Sequence, residues 1–376
     1  MAPMTSDSQA LAQRLRTQIR VHGAMPFDRF MQACLYDPES GYYTSGSSGP
    51  GRAGDFYTSV SVGPLFGRLL GDAFAACRPA CQTGDCWDLV EQGAHGGDLC
   101  ADILNHLRQT EPEAYGGCRY WIVEPSPVLQ ERQLKKISTM DHADRVRWVA
   151  SLDEIAPGSL SGIFFSNELL DSFPVSRVTF RVEGWQEGLV ELDDADRFVW
   201  GERACSDGQR DRIRALGLPE IPGYTAELSP LAEQWMGAVA RVLRHGFVFT
   251  IDYGGLSAEL YDVEKSGGTL RAYRQHRQDS DVLQMPGSQD LTAHVNFTSL
   301  IETGQALGLR RLEFTDQHHF LVRLGTLGFF KELEQTAASG GLSPWLSAYK
   351  TLMHPESMGA LFKVLVQGRG DLSLPF

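Results

Sequence analysis

Residues 87–99 read WDLVEQGAHGGDL, and no other stretch constrains the fold as tightly. An apolar run, Leu89 and Val90, ends in the carboxylate Glu91. Gly93, Ala94, His95, Gly96 and Gly97 follow, and then an apolar-periodic segment begins. This is the pattern of a parallel strand turning sharply into a helix. Glycines let the backbone turn tightly and approach a ligand, and a helix N-terminus leaves N–H groups facing it. A Gly-x-Gly-x-Gly loop would carry glycine at its centre, where His95 stands. A glycine-rich loop is weak evidence by itself, so the rest of the chain must decide the ligand.

The alternation of strand and helix patterns sets the fold class. Strands are predicted at 87–92, 119–124, 145–149, 160–166 and 246–253, with helix-length segments between the first four, as parallel crossovers require. Two segments alternating with period two around Glu183 and Gly184 predict an antiparallel hairpin inserted before the fifth strand. Ser229 and Pro230 read as N-cap and first residue of a helix, and late strands fall at 310–315 and 362–368. Toward the N-terminus, helices are expected at 8–22, with Leu11, Leu15 and Ile19 four apart, at 27–35, and at 61–76. The low-complexity stretch 45–54 reads as a loop. The expectation is an α/β, Rossmann-like doubly wound sheet with an N-terminal helical extension and an inserted β-hairpin lobe. Its parts are an extension with a cofactor-covering loop (1–80), a first core segment (81–174), the hairpin lobe (175–228), and the rest of the core with substrate-side loops (229–376).

Charge and cysteine usage limit the partners. The net charge of −13 argues against binding a phosphate backbone and tolerates a basic partner. Seven scattered cysteines, with no secretory segment before them, fit a reducing cytosol. Arg14, Arg16 and Arg20 lie on a helical pattern, but Asp7 and the adjoining fold-like sequence disfavour reading it as a mitochondrial transit peptide. Cys77, Cys81 and Cys86 lack a paired CxxC, so no metal is expected. Adjacent His318 and His319 would point apart on a helix. No apolar run is long enough to span a bilayer, and no membrane association is expected.

Ligands of doubly wound sheets sit beyond the carboxyl ends of the strands, which makes the residues there the candidates. Glu124 closes the second strand, before Pro125 and Ser126, and a carboxylate there can accept both hydroxyls of a ribose. Glu91 would repel a diphosphate but suits a ligand bearing an ammonium and a sulfonium. That choice favours S-adenosylmethionine over a dinucleotide, and Leu99 at the third-glycine position of the dinucleotide pattern agrees. The fourth strand ends in SNELLDSFP (166–174). Were a helical turn to begin there, Glu168 and Asp171 would share a face and could hold a guanidinium or amine, or else only favour the first turn. Asn167 can hydrogen-bond an approaching nucleophile.

These residues belong to longer ordered motifs: FMQACLYDPESGYY (30–43), GDFYTSVSVGPLFG (54–67), EQGAHGGDL (91–99), IVEPSPVLQERQ (122–133), SNELLDSFPVSR (166–177), IDYGG (251–255), TLRAYRQH (269–276) and DLTAHVNF (290–297). Through them the chain resembles the MidA family of class I S-adenosylmethionine-dependent methyltransferases over nearly its whole length. The family includes the mitochondrial complex I assembly protein arginine methyltransferase. The resemblance implies a cofactor site drawn from Gly54, Asp55, Thr58, Ser59, Glu91, Gly93, Gly96, Gly97, Glu124, Pro125, Ser126, Leu152 and Asn167. It also implies that 54–59 folds over the cofactor and that Arg271, Tyr273, His276, Asp290 and His294 approach the same cleft. His95 for glycine, Gln92 for an apolar residue and Asn296 for an acid depart from the family pattern.

The expected function is methyl transfer from S-adenosylmethionine to a protein arginine, with Glu168 and Asp171 gripping the acceptor and Asn167 aligning it. Two alternatives stand beside it. One is a cofactor-binding or inactive assembly chaperone, motivated by His95, and the other is a methyltransferase with a small-molecule acceptor. The compartment is expected to be cytoplasmic, or mitochondrial in a eukaryote, and exposed strand edges of the lobe could pair two copies into a homodimer.

Overall fold

The computed structural model describes residues 6–44, 58–274, 277–279, 281–354 and 358–376. The low-complexity stretch at 45–54, with Gly54, Asp55 and His276, lies outside them. The chain forms two compact units. One comprises Met1–Tyr57, Leu170–Glu233 and Gly254–Ser299, and the other comprises Thr58–Leu169, Gln234–Tyr253 and Leu300–Phe376.

The second unit is the doubly wound sheet. Its strands are β1 (Trp87–Gln92), β2 (Cys118–Val123), β3 (Val146–Val149), β4 (Leu160–Asn167), β5 (Leu243–Gly255), β6 (Arg310–Asp316) and β7 (Phe362–Arg369). They lie in the order β3-β2-β1-β4-β5-β7-β6. β1 to β5 are mutually parallel, and β7 runs antiparallel to both neighbours. β1 and β4 are buried on both faces, so their central apolar residues, Leu89–Val90 and Ile163–Phe165, are consecutive rather than alternating. The helix Leu65–Cys81 covers one face, with Phe74 5.0 Å from the Phe165 ring and 5.3 Å from Phe249. From β1 the chain moves outward to β2 and β3, then returns to β4. The order therefore reverses between β1 and β4, where such sheets bind ligands.

The crossover from β3 to β4 departs from expectation. Residues 150–159 hold only the 3-10 turn Leu152–Glu154, closed by a capping box from Ser151. Pro157 and the left-handed Gly158 then leave too few residues for a helix before β4 begins. The helix expected at 61–76 instead runs from Leu65 to Cys81, after a short turn at Val60–Val62 that ends at Gly63, whose φ is 127°.

In the first unit, the expected hairpin is a larger antiparallel sheet of Ser176–Arg181, Gly184–Leu192, Phe198–Ala204 and Thr225–Leu228, joined by Met25–Pro26. The period-two pattern after Gly184 hid a second turn. The Asp193 carboxylate accepts from the backbone N–H groups of Ala195 and Arg197, and Asp196 takes φ 58°, which folds the strand back on itself. Helices Ser6–His22 and Phe27–Tyr36 pack Leu11, Leu15, Phe27 and Phe30 into a core with Val175 and Val190. A small sheet joins Arg271–Arg274, Arg277–Asp279 and Asp290–Thr292.

The helix Pro230–Val242 begins with proline at its first position, as expected. Its hydroxyl cap is absent, because the buried Ser229 Oγ has no hydrogen-bond partner among the described residues.

Candidate active site

The loop after β1 is shaped by three left-handed residues. Gly93 has φ 89°, His95 44° and Gly97 82°. A side chain at Gly93 would meet Leu169 Cβ at 3.2 Å, and one at Gly97 would meet the Gln133 backbone at 3.2 Å. Both glycines are therefore fixed by conformation and by close approach. Gly97 N–H donates to Ala94 O at 2.7 Å, closing the turn, and the helix Asp98–Thr110 starts directly after it. His95 adopts the conformation that favours glycine, at a cost of about 1–2 kcal/mol for an L-residue. Its carbonyl accepts from Gln133 Nε2 at 3.0 Å. Burial lowers the imidazole pKa, Asp98 opposes that and Arg132 reinforces it, so the ring is neutral near pH 7.

Glu91 lies at the carboxyl end of β1, buried, with Tyr120 Oη donating to its Oε2 at 2.7 Å. Burial raises its pKa to about 7; the Tyr120 bond acts against this and Asp98 adds to it. One strand over, Glu124 is also buried. Its Oε1 accepts from Ser126 N–H at 2.9 Å and its Oε2 from Gln133 Nε2 at 3.1 Å. Burial raises its pKa, and those two bonds pull against the rise. Each oxygen keeps a further lone pair, as a diol partner requires. Ser126 also caps the helix Pro127–Ser138, with Pro125 between it and the strand end. Leu152, after β3, is buried.

At the end of β4, Asn167 Nδ2 donates to Glu168 Oε1 at 2.9 Å, and the same oxygen accepts from Ser59 N–H at 3.1 Å. Asn167 Oδ1 is buried and has no partner among the described residues. Ser59, fully buried, donates from Oγ to Gln317 Oε1 at 3.1 Å, and Thr58 beside it is also buried. The backbone of this strand end is held by a buried acid: Asp252 Oδ2 accepts from Leu169 N–H at 3.1 Å.

No helical turn begins at 168–174. Glu168 has φ 53°, and the residues after it form turns and bends. The expected face shared by Glu168 and Asp171 has no helix to create it, and the first-turn alternative lapses with it. Asp171 lies in the first unit, where its carbonyl accepts from Ala293 N–H at 2.8 Å.

The first unit also draws together several family-pattern residues. Tyr273 pairs in register with Asp290, and Tyr43 Oη donates to Asp290 Oδ1 at 2.8 Å. Arg271 donates to the carbonyls of Gly268 and Leu270, and His294 N–H to Thr269 Oγ1. Two departures from the family pattern find local partners. Gln92 accepts from the Trp235 indole at 3.0 Å. Asn296 Oδ1 accepts from Thr298 N–H and Ser257 Oγ, doing what an acid would do at a helix start.

Gln133 and Trp148 were not singled out from the sequence as site residues. Gln133 falls in the 122–133 motif, but its spacing from Glu124 gives no chemical cue, and its contacts exist only once three strands are side by side.

The S-adenosylmethionine reading fits these residues. The left-handed glycines turn the chain sharply from β1 into its helix, two carboxylates end adjacent strands, and a buried amide oxygen without a partner among the described residues stands at the end of β4. Comparisons with known proteins agree. Residues 69–315 match a family described as "Putative S-adenosyl-L-methionine-dependent methyltransferase". A Drosophila melanogaster protein named protein arginine methyltransferase NDUFAF7 homolog, mitochondrial, is 28% identical over 97% of this chain and 86% of its own length. The Homo sapiens protein arginine methyltransferase NDUFAF7, mitochondrial, is 27% identical over 96% of this chain and 83% of its own. A Burkholderia thailandensis protein crystallised with S-adenosyl-homocysteine superposes with a TM-score of 0.86 at 33% identity, covering 98% of this chain and 95% of that one. With the strand order, the strand-end acids and a family match spanning most of the sequence, this chain is a member of the MidA-type family of S-adenosylmethionine-dependent methyltransferases.

Proposed function

We propose that the chain transfers a methyl group from S-adenosylmethionine to a nitrogen of a protein arginine. The end-to-end likeness to relatives named protein arginine methyltransferase carries this reading, since it extends through both units rather than the cofactor sheet alone. Bound S-adenosylmethionine supplies a methyl carbon on a sulfonium, open to displacement by a nitrogen lone pair. The N–C bond forms as the C–S bond breaks, the sulfur leaves as a thioether, and the nitrogen gives up a proton to water.

The chain's work in that reaction is alignment. Glu124 takes the ribose hydroxyls, with Pro125 and Ser126 shaping its turn and Leu152 packing beside the base. Gly93, Gly96 and Gly97 admit the methionine end, and Glu91 faces its cationic groups. Thr58 and Ser59 line the strand end, with Gly54 and Asp55 preceding them in the chain. Asn167 Oδ1 accepts from the incoming N–H. Glu168 Oε1 accepts from Asn167 Nδ2 and Ser59 N–H, so we read Glu168 as holding the amide in addition to gripping the acceptor. Asp171 is proposed as the carboxylate for the acceptor's cation.

Seven unpaired thiols suit a reducing compartment, and the named relatives are mitochondrial, so the mitochondrial expectation stands beside the cytoplasmic one. Among the described residues no helix is long and apolar enough to cross a membrane.

The test is incubation of the purified protein with tritiated S-adenosylmethionine and a lysate, followed by acid hydrolysis. Label in methylarginines, entering at an initial rate lower by about tenfold or more with Asn167→Ala, supports the reading. Label only in the small-molecule fraction would replace the protein acceptor with a metabolite.

A further inference from the structure

We propose that Gln133 is a positioning residue that locks the loops after β1 and β2 together, orienting Glu124 toward the ribose and making His95 tolerable in a glycine conformation. The inference rests on the methyltransferase reading above and adds to it a residue with no contact to the reacting atoms.

Gln133 is fully buried in the helix Pro127–Ser138. Its Nε2 donates to His95 O at 3.0 Å and to Glu124 Oε2 at 3.1 Å, and its Oε1 accepts from Trp148 Nε1 at 2.9 Å. An amide nitrogen has two hydrogens and both are used. The two oxygens can face only that nitrogen and the indole N–H only the carbonyl, so the side chain has one orientation. The residue therefore joins the glycine loop of β1, the acid after β2 and the indole on β3. Its backbone also presses on the loop, at 3.2 Å from where a side chain on Gly97 would begin.

Two consequences follow. The carboxylate of Glu124 could rotate about its last bond, and a donor on Oε2 opposite the Ser126 N–H on Oε1 stops that rotation, leaving one lone pair on each oxygen for a diol. At His95, a left-handed residue without a Cβ-free backbone needs a tether to keep its conformation, and the carbonyl bond to Gln133 supplies it. The substitution of the loop glycine by histidine is thus compensated from a neighbouring helix.

The experiment uses the full chain and calorimetric titration with S-adenosyl-homocysteine and with its 2′-deoxy analogue. Gln133→Leu is expected to weaken S-adenosyl-homocysteine at least tenfold and to erase most of the preference over the deoxy analogue. Adding His95→Gly to Gln133→Leu should recover threefold or more, while His95→Gly alone leaves affinity within threefold. Gln133→Glu keeps the packing and replaces the donor with a carboxyl. Its affinity should be poor at pH 8 and improve several-fold at pH 5.5, where a protonated carboxyl donates again, and this decides the matter if Gln133→Leu fails to fold. Unchanged affinity and preference in a folded Gln133→Leu, or a Gln133→Glu variant that binds with the same pH profile as the parent, would overturn the proposal. Failure of the parent protein itself to bind S-adenosyl-homocysteine would instead remove the methyltransferase reading.

Discussion

Glu168 Oε1 lies 2.9 Å from the amide nitrogen of Asn167, its neighbour in the chain, and 3.1 Å from Ser59 N–H. Adjacent side chains on an extended strand point to opposite faces, so this bond needs a break in the strand. The left-handed φ of 53° at Glu168 provides it. The consequence is directional. A carboxylate accepts only, so the Asn167 NH2 must face it and Oδ1 must face away, buried and without a partner among the described residues. A buried acceptor left unpaired costs about 1–3 kcal/mol, which a donor on the methyl acceptor would offset.

Asn167→Ala is therefore expected to lower kcat by about 10–100-fold with the affinity for S-adenosylmethionine within about threefold. Glu168→Gln, which lets the Asn167 amide turn over, should lower kcat by a smaller factor in the same direction. Steady-state kinetics beside calorimetry checks both, and a loss of cofactor affinity equal to the loss of kcat would place Asn167 on the cofactor instead.

Glu124→Ala removes both proposed ribose contacts. Hydrogen bonds to a charged group are worth about 1.5–3 kcal/mol each, so losing two should raise the Kd for S-adenosylmethionine by about 100–10,000-fold. Circular dichroism should show the variant folded; unchanged affinity would show that Glu124 is not the ribose acid.

Glu91 gives stability a pH dependence of unusual sign for an acid. Its folded pKa of about 7 lies above the ordinary carboxyl value, so the folded state holds the proton more tightly. Its contribution is complete below the unfolded pKa and is lost as pH rises toward 7, by about 2–3 kcal/mol. The ligand-free protein should melt progressively lower between pH 5 and pH 7.5, relative to Glu91→Gln measured at the same pH values. Asp102, raised to about 6, titrates in the same window, and the paired comparison subtracts it.

His95→Gly should stabilise the protein by about 0.5–1 kcal/mol, the left-handed strain removed less the greater chain entropy of glycine. The imidazole interacts with Asp98 and Arg132, on the two helices beside the loop, so the affinity for S-adenosyl-homocysteine is expected to change by less than about threefold. A tenfold gain would mean that the ring occupies ligand space.

Local sequence patterns determined the strands and the residues at their ends. Glu91, Glu124 and Asn167 follow apolar runs whose length and β-branched or aromatic content mark strands, and the chain itself places them at carboxyl termini. The glycine loop was legible for the same reason, since a turn between strand and helix is a local event. The patterns failed where a local signal had two readings. The alternation after Gly184 did not reveal the turn at 193–196, because aspartates fit both an exposed strand face and a turn. The acids at 168 and 171 read as a helix start, because the left-handed φ of Glu168 has no sequence signature.

Tertiary structure alone decided what the side chains are for. Gln133 is 38 residues from His95, 9 from Glu124 and 15 from Trp148 in sequence, and only the pairing of three parallel strands brings all three to one amide. The roles of Glu168 and of His95 turn on such contacts. Sequence fixes which groups are available at the end of a strand, whereas hydrogen bonds between neighbouring strands and helices decide which way each group points. The histidine in the glycine loop is the plainest case: in sequence it is a departure, and in the fold its carbonyl has a partner.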